Sequence, residues 1–147
     1  MKASKYDALL LKNQLCFPLY ACSREIIKLY KPFLDELDLT YTQYITMMVL
    51  WESRCVTVKE LGTRLYLDSG TLTPLLKKME SKGLLTRKRS EEDERSLLVT
   101  ITEKGEALRE RAVNIPAKIT DCVHLDSEEA KALYATLYKL LEQTSEE

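Results

Sequence analysis

The chain has 147 residues, of which 45% are hydrophobic and 31% are charged, a composition typical of a globular domain and not of a disordered chain. No stretch approaches the ~18 uncharged apolar residues of a membrane span. The first 15 residues also lack the apolar core of a secretory signal. We therefore expect a cytoplasmic protein, in which Cys16, Cys22, Cys55 and Cys122 rest as thiols.

The net charge is only −1, but basic residues are concentrated in the middle of the chain. Between residues 77 and 89 there are six basic side chains and one acidic side chain, Glu80. Such a block indicates a surface that faces phosphate, although a run of charge is in general more often a solvated helix face. The elements predicted around the block favour the phosphate-facing interpretation.

Helix start signals recur along the chain and divide it into helical segments. Thr40 and Thr57 each begin a capping-box pattern, in which the threonine and a Gln or Glu three residues later satisfy free amides reciprocally. Asp126 and Thr102 precede two further helical patterns. The spacing of the apolar residues predicts helices over about 6–31, 41–53, 58–66, 70–82, 103–123 and 127–144.

The helices at 58–66 and 70–82 are short and joined by a tight turn, which is the arrangement of a helix-turn-helix. In such units the N-terminal residues of the second helix contact base edges, and its lysines contact phosphate groups. Pro74 is tolerated without great cost only near the first turn of a helix. We therefore expect the second helix to begin at Gly70 or Thr71.

A hairpin is predicted after the second helix. Gly83 lies where a helix end favours a residue that tolerates the left-handed conformation. Residues 97–102 alternate between apolar and polar, and residues 84–89 precede them across a polar turn. This is the only region that the sequence predicts as sheet. The order of elements is that of a winged helix-turn-helix, a mainly α fold with six helices and a small β-hairpin wing.

The predicted DNA contacts lie on the second helix and on the wing. Hydroxyl groups at the helix start suit base edges, and basic side chains suit phosphates or a narrow minor groove. The candidate residues are Ser69, Thr71, Thr73, Lys77, Lys78, Arg87, Lys88, Arg89, Asp93 and Arg95. The acids at 91–94 are unexpected for this role, and we expect Asp93 to brace Arg95 while the others face solvent.

The segments on either side of this lobe carry more apolar side chains than one small domain would cover. That surplus suggests an all-helical dimerisation region shared by two subunits. We therefore predict a single domain over 1–147, with a DNA-binding lobe at 36–102 and dimerisation helices at 1–35 and 103–147.

Three stretches resemble the MarR family of winged-helix regulators, and within it the organic-hydroperoxide-sensing OhrR type and its staphylococcal relatives. They are NQLCF at 13–17, YLDSGTLTPLLK at 66–77 and RKRSEEDER at 87–95, and the similarity extends over nearly the whole chain. The resemblance implies a homodimeric repressor that binds an inverted-repeat operator in double-stranded DNA. It also implies that Asp93 and Arg95 are the family's Asp-x-Arg pair of the wing.

The same resemblance implies that Cys16 is the peroxidatic cysteine and that Tyr20, Tyr30 and Tyr41 hold it in the reduced form. Tyr20 is one helical turn from Cys16 and can reach the sulfur. Tyr30 is ~21 Å along the helix axis and can contact only the Cys16 of a partner, unless the helix breaks. A phenol that donates to sulfur stabilises the thiolate, which hydroperoxide oxidises to a sulfenic acid. The predicted function is therefore repression that oxidation of Cys16 relieves.

Cys122 is a candidate resolving thiol. Some members of the family carry a second cysteine in the helix before the last, where it resolves the sulfenic acid of the other subunit, and others recruit a small thiol. Because Cys122 lies in about that place, we hypothesise a disulfide between Cys16 of one subunit and Cys122 of the other. Cys22 is a competitor on a different helix face, and Cys55 is interpreted as structural. Pro18 is expected to kink the helix beside Cys16.

Two alternatives stay open at this point. A MarR-type regulator can instead respond to a small aromatic anion, and the tyrosines with Arg24 would then line its pocket. A thiol peroxidase would need a catalytic partner for its cysteine, and His124, the only histidine, supports neither a Cys-His pair nor a zinc site. We expect the protein not to be an enzyme and to hold no metal or other cofactor.

Overall fold

The computed structural model describes residues 2–145 and shows a mainly helical fold with one small sheet. Two 3-10 turns, Lys5–Leu9 and Leu11–Asn13, precede the first helix. The other elements are α1 (Cys16–Asp35), α2 (Tyr41–Ser53), β1 (Cys55–Thr57), α3 (Val58–Leu65), α4 (Ser69–Ser81), β2 (Leu85–Arg89), β3 (Leu97–Ile101), α5 (Glu103–Ala112), α6 (Ile115–Cys122) and α7 (Ser127–Thr144). Within the described part of the chain, no helix combines the length and apolar character needed to cross a bilayer.

Four helices begin at the capping residues that the sequence predicts. Thr40 and Asp126 each exchange two hydrogen bonds with the Gln or Glu three residues later. Thr57 and Thr102 each accept one backbone amide of the first helical turn. A cap of this kind stabilises a helix by ~1 kcal/mol, because it satisfies an amide that has no partner within the helix.

The predicted helix over 6–31 is wrong at its start. α1 begins at Cys16, and the residues before it form turns closed by the side chains of Asn13 and Gln14, which donate to carbonyls six residues back. Pro18 is consequently the third residue of the helix. Its missing amide has no helical partner to lose in the first turn, so the expected kink beside Cys16 does not arise there.

The predicted helix over 103–123 is divided into two. α5 ends at Ala112, α6 begins at Ile115, and Pro116 is the second residue of α6. A continuous helix would place the ring of Pro116 against the Ala112 carbonyl and would lose the hydrogen bond between these two residues. The break therefore follows from a proline whose effect the apolar spacing conceals.

The recognition helix α4 begins at Ser69, earlier than the predicted start at Gly70 or Thr71. Asp68 fixes this start, since its carboxylate accepts the Thr71 amide at 2.7 Å. Pro74 consequently lies beyond the first turn and inside the helix, which continues to Ser81. The predicted start, at about Gly70 or Thr71, is therefore one or two residues late.

Three antiparallel strands form the sheet in the order β1-β3-β2. Gly83 ends the preceding helix with φ of 77°, as predicted, and residues 85–89 then pair with residues 97–101 as the wing. The strand β1 was not predicted; it places Val56 opposite Val99, and its three residues are too few to show an alternation. Because α3 follows β1 directly, this strand ties the wing to the helix-turn-helix.

The apolar core lies between α2, α3, α4 and the sheet. Its most buried apolar side chains are Met47, Leu50, Leu61, Leu72, Leu76, Met79, Leu85 and Val99. α1 and α6 add Leu34, Ile115 and Ile119, whereas α7 adds no buried side chain. Large apolar side chains remain exposed along the N-terminal turns, α1 and α7, so these elements have faces that the single chain does not cover.

Candidate DNA-binding surface and thiol site

The recognition helix presents its polar start and its basic middle to solvent. Ser69, Thr71 and Thr73 are exposed, and the Thr73 hydroxyl donates to the Ser69 carbonyl at 2.8 Å. Lys77 and Lys78 are also exposed, and neither takes part in an ion pair formed within residues 2–145. The outward side of α4 thus combines hydroxyl groups at its N-terminus with two unpaired cations further along.

Arg87 has a different place from the other basic residues of the wing. Its side chain is only 19% exposed, and its guanidinium donates to Glu80 Oε1 at 3.1 Å. The other carboxylate oxygen accepts the Arg87 backbone amide at 2.8 Å. These hydrogen bonds hold the pKa of the Glu80 carboxyl below its usual value. Arg87 therefore attaches strand β2 to α4, a role that the sequence did not suggest.

Three basic side chains of the wing are exposed. The Lys88 ammonium lies 3.7 Å from the Glu91 carboxylate, and both side chains are largely in solvent. Arg89 donates to the Glu94 carbonyl at 3.0 Å, which closes the base of the wing tip. Arg95 is exposed as well. The wing therefore offers two free or weakly paired cations, Lys88 and Arg95, and a third that shapes the tip.

Asp93 shapes the wing tip, although its partner differs from the expected one. One carboxylate oxygen accepts the Arg95 backbone amide at 3.0 Å, and the other accepts the Ser96 hydroxyl at 3.2 Å. The brace therefore acts on the backbone and not on the guanidinium of Arg95. An aspartate readily forms this turn with the amide two residues later, which leaves the Arg95 side chain available.

Cys16 is the first residue of α1, and its side chain is exposed. Tyr20 follows one turn later; its hydroxyl accepts a hydrogen bond from Arg24 Nη1 at 3.3 Å, and the guanidinium lies 5.5 Å from the ring centre. Among the hydrogen bonds within residues 2–145, none joins the Cys16 thiol to Tyr20. Because the phenol oxygen accepts this hydrogen bond, the Tyr20 hydroxyl can still donate its own proton to another acceptor.

Tyr30 and Tyr41 lie in an aromatic cluster with Tyr44 and Trp51. The ring centres of Tyr30 and Tyr41 are 5.0 Å apart, and Tyr44 lies 5.8 Å from the first and 6.2 Å from the second. Burial raises the pKa of all three tyrosines, and that of Tyr44 to about 12. Sequence reasoning missed Tyr44, although its spacing of three residues from Tyr41 places both rings on one helix face.

The remaining cysteines are exposed thiols. Cys122 is the last residue of α6, which is the helix before the last, as the sequence predicted. Cys22 lies on α1, and Cys55 lies on β1, where it accepts a hydrogen bond from the Thr100 hydroxyl at 3.3 Å. None of the four cysteines forms a disulfide within the chain.

A capped helix-turn-helix followed by a basic hairpin defines a winged-helix DNA-binding protein. The family model described as transcriptional regulator SarA/Rot matches residues 28–111. The organic hydroperoxide resistance transcriptional regulator of Bacillus subtilis is 56% identical to this chain over 139 residues, which is 95% of each protein.

Solved structures with this fold include AbfR of Staphylococcus epidermidis, which is represented in reduced, overoxidised and disulfide forms. Reduced AbfR bound to DNA matches with a TM-score of 0.76 at 34% identity, over 95% of this chain and 96% of that one. Disulfide-formed AbfR matches with a TM-score of 0.64 at 34% identity, over 93% and 96%. The chain belongs to the SarA/Rot family of MarR-like transcriptional regulators. The predicted fold class and family are thereby confirmed.

Proposed function

We propose that the protein is a homodimeric repressor that binds an inverted-repeat operator and leaves it when an organic hydroperoxide oxidises Cys16. The observation that carries the proposal is the exposed Cys16 thiol at the start of α1, in a chain 56% identical to an organic hydroperoxide resistance regulator. Leu15, Phe17 and Leu19 are exposed beside it.

The proposed DNA contacts follow the exposure of the side chains on α4 and the wing. Ser69 and Thr71 at the helix start would meet base edges in the major groove. Lys77, Lys78 and Arg95 would contact phosphates, with Lys88 and Arg89 beside them on the wing. The structure of reduced AbfR bound to DNA supports a DNA-bound form of the reduced protein.

The dimer is proposed from the apolar side chains that the single chain leaves exposed. Most of them lie at 1–35 and 103–147, outside the lobe at 36–102, and include Leu9, Leu11, Leu15, Phe17, Leu19, Ile26, Ile27, Leu133, Tyr134, Tyr138 and Leu140. Covering such a surface with a second copy removes apolar area from water and places two recognition helices on one DNA. Tyr30 and Tyr41 would then approach the partner subunit's Cys16, while Tyr20 stays beside its own.

The proposed chemistry begins with attack of the Cys16 thiolate on one peroxide oxygen. The O–O bond breaks, an alcohol leaves after protonation, and Cys16 becomes a sulfenic acid. The partner subunit's Cys122 thiolate then attacks this sulfur, forming the disulfide and releasing hydroxide, which is protonated to water. That AbfR has been solved in a disulfide form supports resolution of the oxidised cysteine by a second thiol.

The test is fluorescence anisotropy of the reduced protein on DNA from upstream of its own gene, before and after one equivalent of cumene hydroperoxide. We expect the wild type to bind and then to dissociate, and Cys16→Ser to bind and remain bound. Cys22→Ser is the matched control, because it removes another exposed thiol of α1, and it should dissociate like the wild type.

Two outcomes would overturn the proposal. If Cys16→Ser dissociates like the wild type, the peroxide acts at another residue. If, with excess thiol reductant present, the protein consumes many equivalents of hydroperoxide much faster than the reductant does alone, it is a peroxidase; a sensor is oxidised once, by about one equivalent per subunit, and is not turned over rapidly.

A further inference from the structure

One lysine joins the end of the recognition helix to the turn between α1 and α2. Lys82 directly follows the last residue of α4, and its ammonium donates to the Asp38 carbonyl at 2.5 Å and to Gln43 Oε1 at 3.1 Å. It also lies 3.5 Å from the Asp38 carboxylate. The Lys82 side chain is only 23% exposed, which is unusual for a lysine and requires partners for its charge.

The two residues that accept hydrogen bonds from Lys82, Asp38 and Gln43, are themselves fixed in position. Gln43 is 1% exposed, and its Oε1 also accepts the Thr40 amide at 3.1 Å as part of the capping box of α2. Asp38 has φ of 54°, in the left-handed region that a residue other than glycine seldom adopts. Hydrogen bonds that satisfy its carbonyl help to keep this conformation, so the lysine and the turn stabilise each other.

Lys82 is also bonded to α5. The Lys82 carbonyl accepts a hydrogen bond from the Lys104 ammonium at 2.7 Å, and Lys104 lies on α5, which leads into α6 and Cys122. On the other side, Gln43 lies between Tyr41 and Tyr44 of the aromatic cluster. The end of the recognition helix is thus bonded to α2, which carries the proposed sensing residue Tyr41, and to α5, which leads to the proposed resolving thiol.

We infer that Lys82 is a positioning residue that transmits movement of α1 and α2 to the recognition helix. This inference rests on the proposed function, because it supplies the link between oxidation of Cys16 and loss of DNA binding. Apolar contacts between helices allow small sliding movements, whereas hydrogen bonds from a largely buried ammonium favour one relative position. A displacement of the first turn of α2 therefore carries the end of α4 with it.

The experiment compares the DNA affinity of the full-length protein before and after oxidation by cumene hydroperoxide, for the wild type and for Lys82→Met. Coupling between two sites is commonly about 5- to 150-fold in affinity. We expect the ratio of oxidised to reduced Kd to fall by at least about fivefold in Lys82→Met. Lys82→Arg, which keeps the charge and the donors, should recover most of the ratio.

A merely structural role gives a different result. If Lys82 only stabilises the fold, Lys82→Met weakens binding in both redox states by the same factor and the ratio is unchanged, which would overturn the inference. Lys31→Met is the matched control, because it removes a lysine whose ion pair, with Asp35, stays within α1. Its ratio should equal that of the wild type, and a fall as large as in Lys82→Met would also overturn the inference.

A second variant covers the case in which Lys82→Met does not fold. Gln43→Met removes one acceptor and leaves the lysine bonded to Asp38, so a smaller fall of the ratio is expected, and an unchanged ratio overturns the inference.

Mass spectrometry of Cys16 verifies equal oxidation in every sample. If the wild type itself stays bound after oxidation, the proposed function fails and the coupling with it; if the wild type dissociates and both variants do so equally, only the coupling fails.

Discussion

Tyr44 is 2% exposed, at the centre of the aromatic cluster beside the proposed sensing tyrosines. Burial raises its pKa to about 12, and the neighbouring Tyr30 and Tyr41 add to the shift, because their ionised forms would repel a second phenolate. An unfolded tyrosine titrates near pH 10. The folded state therefore holds the Tyr44 proton more tightly than the unfolded state does, and the stabilisation that this gives is complete below pH ~10 and is lost as the pH rises through about 12.

Alkaline titration checks this linkage. The free energy of unfolding of the wild type should decline from pH ~10 upward, and ultraviolet difference spectroscopy should show one phenol that ionises last. Tyr44→Phe should abolish that last ionisation and flatten the decline. Tyr6→Phe, at an exposed ring, is the control and should change neither. Ionisation of Tyr44 together with the exposed tyrosines would contradict the expectation.

Gly105 is a buried residue of α5 and packs against Leu84, which follows the recognition helix, and against Ile101 of β3. An added Cβ would clash with the Leu84 carbonyl oxygen and lie 2.9 Å from Ile101 Cγ1, while the Gly105 carbonyl accepts the Trp51 indole N–H at 2.9 Å. Gly105→Ala should therefore lower the free energy of unfolding by about 1–3 kcal/mol in urea titrations, as overpacking does.

Gly70→Ala is the matched control for this substitution. The nearest atom to an added Cβ there is the Asp68 side-chain oxygen at 3.4 Å, and the position is helical. Alanine should be neutral or stabilising by up to about 1 kcal/mol, because it is a better helix former than glycine. A Gly105→Ala protein as stable as the wild type would mean that α5 can move away from the sheet without loss.

At the scale of elements, the sequence predicted what depends on neighbours in the chain. The caps at Thr40 and Asp126, the glycine end of α4 and the alternation of β3 are local signals, and each is confirmed. The break between α5 and α6 was missed although its cause, Pro116, is also local. The strand β1 was missed because it exists only through pairing with residues more than forty positions away.

The candidate site likewise contains residues that the sequence predicted and contacts that it did not. Exposed Cys16 on α1, Cys122 at the end of α6 and the exposed hydroxyls and lysines of α4 lie on the elements where the sequence placed them. The bonds from Arg87 to Glu80 and from Lys82 to Gln43 were not predicted. They depend on how the recognition helix packs against other elements, and neither periodicity nor residue type specifies such a pairing.

The bond between Glu80 and Arg87 attaches the wing to α4, and its contribution should depend on pH. Hydrogen bonds from Arg87 lower the pKa of the Glu80 carboxyl in the folded state. The stabilisation is therefore complete above the ordinary value near 4.5 and is lost as the pH falls through the lower folded value. Glu80→Gln should be less stable than the wild type in urea at pH 7, and the difference should shrink toward pH 3.

Glu91→Gln provides the control for this pair. Its carboxylate is exposed and 3.7 Å from an exposed lysine, so the substitution should leave the stability at pH 7 nearly unchanged. If the free energy of unfolding differs between the wild type and Glu80→Gln by the same amount at every pH, packing and not charge attaches the wing to α4.

At the scale of the whole molecule, a net charge of −1 conceals a basic surface on α4 and the wing. Each phosphate contact that is lost should flatten the plot of log Kd against log salt concentration by about one unit. We expect this change for Lys77→Ala and for Lys78→Ala, measured by anisotropy between about 50 and 200 mM salt. Lys139→Ala, on α7, should leave the slope unchanged. An unaltered slope in both α4 variants would place the DNA on another surface.

The proposed disulfide joins two subunits and is therefore a property of the dimer. Cys16 and Cys122 are both exposed in the single chain, and Cys16 lies on α1, one of the elements whose apolar faces a second copy would cover. After one equivalent of cumene hydroperoxide, a non-reducing gel of the wild type should show a band of twice the 17.0 kDa chain mass, and dithiothreitol should remove it. The band requires both thiols, so Cys16→Ser and Cys122→Ser should each remain at the mass of one chain.

Two variants decide between Cys122 and the other thiols. Cys22→Ser and Cys55→Ser remove exposed cysteines that the proposed bond does not use, and both should give the same doubled band as the wild type. In Cys122→Ser the sulfenic acid of Cys16 should persist long enough for capture by dimedone, because its resolving thiol is gone. A doubled band in Cys122→Ser, or a wild type that stays at single mass while dimedone labels Cys16, would exclude Cys122 and assign resolution to another cysteine or to a small thiol.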